Sequence, residues 1–164
     1  MAIPFRSADA VHSFPLYDSP PEKQEGEDET IFRIRERLYQ ERRDVRIEVR
    51  FIRPSQYFPI ANEKALLTAR ELKRLKDAGD TDGFFSLSLV PEYYGWLRKV
   101  FDACVTKVSA ELIDQDGNTI RLEEVSERDH LFELLDRSRM LSDICEKALA
   151  LQVPDEGSKK NSAS

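Results

Sequence analysis

The sequence is short of the residues that most often carry chemistry. It has two cysteines, Cys104 and Cys145, with no second cysteine or histidine near either at metal-ligand spacing. That excludes a zinc-finger or ribbon pattern, and both read as small buried hydrophobes in a reducing compartment. Of two histidines, His12 lies near the N-terminus and His130 stands beside Asp129, neither with a nucleophile arranged around it. Six glycines are too scattered to form a phosphate-cradling loop. In "DQDGN", Asp114 to Asn118, glycine comes fourth, where a calcium loop needs it sixth, so a turn is expected. No apolar run reaches the roughly 18 residues of a membrane helix, and MAIPFRSADA has no charged-then-apolar leader. These absences point to a protein that is not an enzyme, with no metal ligands and no cofactor, resident in the cytoplasm rather than secreted or membrane-spanning.

What is present suffices for one ordinary core: 164 residues, 40% hydrophobic and 34% charged. Residues 1–29, with four prolines and the acidic run "EKQEGEDE", read as a flexible arm, 30–153 as a single globular domain and 154–164 as a disordered tail. The expected fold is α+β and mainly helical, with a short N-terminal strand, three or four helices and a β-hairpin near residues 108–122. In "TIFRIRERL" the alternation of Phe32, Ile34 and Leu38 with arginines favours that strand. Residues 37–52 fit either period, and the reading leans to a strand followed by a helix. Asn62 suits the N-cap of a helix carrying Ala65, Leu66, Ala69, Leu72 and Leu75, stopped by Gly79. Pro91 opens another, whose one face holds Tyr94, Leu97, Phe101, Cys104 and Val108. Apolar alternation on both sides of Asp116-Gly117-Asn118 gives the hairpin. Ser126 can cap one last long helix with a stripe from Leu131 to Leu151.

Two features point to a protein partner. The stretch "GFFSLSLVPEYYGWLRKVFDACV" is more apolar than one core-facing helix requires, and Phe84, Phe85, Tyr93 and Trp96 fall outside the main stripe. An aromatic surplus of this kind marks interfaces, and self-association stays open alongside a foreign partner. Between Arg33 and Arg53 there are eight arginines against four acids, in a chain whose net charge is −6. Arg42, Arg46 and Arg50 would form one helical row able to steer acidic segments. Interleaved acids and the acidic stretch just upstream weigh against nucleic acid.

The order of parts, with "ETIFRIRERLYQERRDVR" after a flexible start, a mainly helical middle and a long final helix before a polar tail, resembles the tail assembly chaperones of long-tailed bacteriophages. "SKKNSAS" adds Lys159-Lys160-Asn161, a tripeptide that a slippery A-AAA-AAC heptamer encodes; proteins of that family are often made in two forms by frameshifting. The resemblance implies a non-enzymatic protein of the bacterial host cytoplasm that binds tape-measure or tail-tube protein during virion assembly. A structural connector or completion protein of the virion is the alternative, and a nucleic-acid-binding regulator a weaker one.

Overall fold

The computed structural model describes residues 10–79 and 87–153, and the fold is α+β and mainly helical. Its elements run β1 (Val11–Pro15), α1 (Glu29–Arg42), β2 (Arg46–Arg50), α2 (Pro54–Asp77), α3 (Pro91–Cys104), β3 (Val105–Ser109), β4 (Glu111–Ile113), β5 (Thr119–Arg121), α4 (Arg128–Arg137) and α5 (Leu141–Ala150). Strands β1, β2 and β3 form an antiparallel sheet in that order, and β4 and β5 form the separate hairpin. Alternation along β2 aims Ile47 and Val49 inward. There they meet Trp96, Val100, Phe101 and Cys104 of α3, with Leu135 of α4 and Ile144 and Cys145 of α5 closing the core.

The N-terminal half corrects the sequence reading. "TIFRIRERL" is helix, not strand, and the strand follows it. Asp28 caps α1 by accepting a 2.8 Å hydrogen bond from the Thr30 amide, and the long Arg, Glu and Gln side chains favour helix over strand. At 3.6 residues per turn Phe32, Arg35, Tyr39 and Arg42 share the half-buried side. Arg42 therefore ends α1 while Arg46 and Arg50 lie in β2, so the three make no helical row.

Nor is the whole of 1–29 a free arm. Strand β1 pairs with β2 from Val11↔Arg50 to Pro15↔Arg46, and Leu16 is buried, its amide donating to the Val45 carbonyl at 2.9 Å. Its acids are largely answered: Asp18 by Lys147 at 2.6 Å, Glu27 by Arg35 at 2.6 Å and Glu29 by Lys23 at 2.6 Å. Hydrogen bonding to the Gln24 amide, with Arg35 beside it, holds the Glu27 carboxyl below its ordinary range. Residues 1–9 and 154–164 lie outside the described residues.

Helix α2 starts two turns before Asn62, at Pro54, whose missing N–H costs nothing in the first turn. The Gln56 side chain accepts from the Arg53 amide at 3.2 Å, and the Arg53 carbonyl accepts from the Gln56 and Tyr57 amides. At its other end Gly79, with φ of 70°, provides the expected stop. Helix α3 begins at Pro91 as expected, but Val108 belongs to β3, and the buried side of the helix is Tyr93, Trp96, Leu97, Val100, Phe101 and Cys104 while Tyr94 is exposed. The hairpin forms around Gly117, with the Asp114 carboxylate accepting from the Asp116 and Asn118 amides at 2.9 and 2.8 Å.

The expected last long helix is two. Arg139 has φ of 61°, and the Met140 amide donates to the Leu135 carbonyl and the Arg139 amide to that of Asp136. This is a Schellman stop built without glycine. Left-handed backbone at a residue with a Cβ costs roughly 1–2 kcal/mol, partly offset by the extra unfolded-state freedom of glycine, so Arg139→Gly is expected to raise the unfolding free energy by up to about 1 kcal/mol and move the urea midpoint upward. A lowered midpoint would mean that the arginine side chain contributes more than its strained backbone costs.

Candidate protein-binding face

Helix α2 carries apolar residues on two sides. Tyr57, Ile60 and Leu67 turn toward the core, where Leu67 is buried and the other two are packed against it. Position is fixed by polar contacts on that same side. The Trp96 Nε1 of α3 donates to the Ile60 carbonyl at 2.8 Å, Lys99 meets Glu63 at 2.9 Å, and Lys64 meets Glu146 of α5 at 2.6 Å. With one side held, the opposite side is forced outward. Phe58, Leu66 and Leu72 are 59%, 71% and 51% exposed, and Ala65 and Ala69 lie exposed between them. Phe58, Asn62, Ala65, Ala69 and Leu72 follow each other at intervals of four and three residues, which places them on one straight arc about 20 Å long. Covering a leucine or phenylalanine completely is worth about 1.5–3 kcal/mol, so this arc holds a substantial unused driving force for association.

The site residues expected from the sequence do not share a surface. Trp96 is fully buried and Tyr93 is 5% exposed, the two rings stacked with centroids 5.4 Å apart. Both are core. Phe84 and Phe85 lie outside the described residues. Arg42 is a clamp: it donates to Asp143 Oδ2 at 3.0 Å and to the Arg139 carbonyl at 3.3 Å, and its side chain is only 12% exposed. That ties α1 to α5. Arg46 and Arg50 do share the outward face of β2, where Arg46 reaches across to Ser13 of β1, its Nε donating to the hydroxyl at 3.1 Å.

One polar cluster invites a catalytic reading and does not sustain it. The Tyr93 hydroxyl lies 2.8 Å from Ser142 Oγ and donates to Glu146 Oε1 at 3.0 Å, with Lys64 on the other oxygen of Glu146. Burial raises the phenol well above its ordinary value, so it stays a protonated donor. Every member is satisfied by another, and the cluster braces α2, α3 and α5 together.

The sequence placed Ala65, Leu66, Ala69 and Leu72 on this helix without assigning them to its inner or outer face, and starting the helix at Asn62 left out Phe58. The available signal was the pair of stripes in "PSQYFPIANEKALLTARELKRLKD", one on Tyr57, Ile60 and Leu67 and one on Phe58, Ala65, Ala69 and Leu72, where a surface helix needs only one. Among the described residues no helix is long and apolar enough to cross a membrane. No protein-family model, no curated protein and no solved structure matches the chain.

Proposed function

We propose that this chain is a non-enzymatic assembly chaperone or adaptor that captures a helix of a structural partner on the outer face of α2, the role that tail assembly chaperones fill for long-tailed phages. The observation that carries the reading is the exposure of Phe58 and Leu72 along one arc, with Leu66 exposed on its flank, of a helix whose other side is locked to the core. A client helix laid there buries apolar surface that would otherwise drive its aggregation. Association of this kind stays reversible because a single helix–helix contact is small beside a permanent interface. The layout and the Lys159-Lys160-Asn161 tail direct the choice of client to a tape-measure or tail-tube protein.

Co-expression with a tape-measure protein from the same genome tests the reading. Leu66→Glu and Leu72→Glu, alone and together, alter only exposed positions and should leave the circular dichroism spectrum unchanged and the unfolding free energy from urea titration within about 0.5 kcal/mol of the parent. The expected result is soluble client with the parent chain and aggregated client with the double variant. Client that stays soluble and bound to the double variant would sink the proposal. A chaperone should also be missing from purified particles, whereas a connector would remain in them.

A further inference from the structure

The outer arc of α2 is not uniform along its length. Its four-and-three spacing continues from Leu72 to Lys76, with Lys73 one turn from Ala69 on the same side. These two lysines are the charged residues of the arc, both are exposed, and neither is in an ion pair among the described residues. The other cations of the helix are answered, Lys64 by Glu146, Arg70 by Glu92 at 3.2 Å and Arg74 by Glu71 at 2.6 Å. One end of the apolar arc thus carries two unanswered positive charges, and its centre is two alanines.

Alanines at the centre let a second helix approach closely, because the distance between packed helices is set by the side chains at their contact. The charges then decide which helix. A second copy is a poor fit in either direction: parallel, lysine faces lysine; antiparallel, Lys73 and Lys76 lie against the N-terminal turn of the other α2, where the helix dipole disfavours cations and the arc offers no acid. We propose that the seam receives an apolar helix of another protein bearing acidic residues where it meets Lys73 and Lys76. This rests on the capture reading above and names the chemistry of the captured segment. Steering then falls to these lysines, in place of Arg42, Arg46 and Arg50.

Two labelled helical peptides with the same Leu/Ala seam, flanked by Glu in one and by Lys in the other, test it against the full chain by fluorescence anisotropy. The Glu peptide is expected to bind about tenfold tighter at low salt, with a preference that shrinks as salt rises. Ala69→Glu should abolish binding of both, and the pair Lys73→Glu and Lys76→Glu should reverse the preference. Equal binding of the two peptides would overturn the charge rule, and if client capture remained sensitive to Leu66→Glu, the chaperone reading would survive it. Binding of neither peptide, with a sedimenting dimer that Ala69→Glu splits, would overturn the proposal in favour of a second copy as occupant. The expected peptide preference without capture of a tape-measure protein would uphold the seam chemistry and sink the phage assignment.

Discussion

Replacing Trp96 by alanine should cost the fold about 3–5 kcal/mol, a large share of the 5–15 kcal/mol that a domain commonly has. The indole is fully buried, stacks on Tyr93 and donates to the Ile60 carbonyl, so the substitution opens a cavity at the joint where α2 meets α3. Lys64 sits 5.5 Å over the same ring, and its contact is lost too. Because Trp96 is the sole tryptophan, the parent's unfolding is followed by its emission, while the variant needs far-ultraviolet circular dichroism in urea. Trp96→Phe keeps most of the apolar volume and loses the N–H donor, so it should fall between the two. An unchanged midpoint in Trp96→Ala, with client capture lost, would return this residue to the surface role its sequence context suggested. The stronger consequence is that α2 is placed through Trp96: capture and stability should fall together here, whereas Leu66→Glu separates them.

Where the sequence was legible, the determinants were local. Pro91 marks the start of α3 and Asp116-Gly117-Asn118 marks the hairpin turn, because a fixed φ and a left-handed glycine leave little choice of backbone. The balance of helix and strand followed from the same cues. Elements went wrong where two periods fit one stretch or where a distant residue cast the deciding vote. "TIFRIRERL" satisfies strand alternation and a helical face together; the Asp28 cap and the clamp of Arg42 on Asp143, 101 positions away, settle it as helix. The break between α4 and α5 needs left-handed backbone that the sequence assigns to an arginine, so no stop signal was visible. At the candidate face the identities of Ala65, Leu66, Ala69 and Leu72 were plain, but which stripe of α2 turns inward is decided by Trp96 reaching Ile60 from 36 positions further on. Phe58 was missed because Asn62 offered a plausible cap; α2 instead starts at Pro54 and runs through Pro59, whose missing N–H leaves the Ser55 carbonyl without its i→i−4 donor.

Raising the pH from about 9 to about 11 should unfold the chain through buried groups of the core. Cys104 and Cys145 are fully buried in α3 and α5, and burial pushes the Cys104 thiol from its ordinary 9.0 up to about 12 and raises Cys145 as well. The Tyr93 phenol, ordinarily near 10.0, is raised by the same cause. For each, the folded chain keeps a proton that the unfolded chain releases. Their contribution is therefore complete below the ordinary values and is lost as the pH climbs toward the folded ones, by about a tenfold shift of the folding equilibrium per pH unit for each thiol. Urea midpoints measured stepwise across this range should fall steeply in the parent. They should fall much less in the variant with both Cys104→Ala and Cys145→Ala, even though that variant starts lower at neutral pH for want of packing. Tyr93→Phe should remove only the part that sets in near the phenol's ordinary value. Equal slopes in the parent and the double-cysteine variant would mean that loosening of surface ion pairs, not thiolate formation, governs alkaline unfolding. The comparison also separates core from face: if α2 is held through the α3–α5 layer, the double-cysteine variant should still bind its client at a pH where the parent has let go.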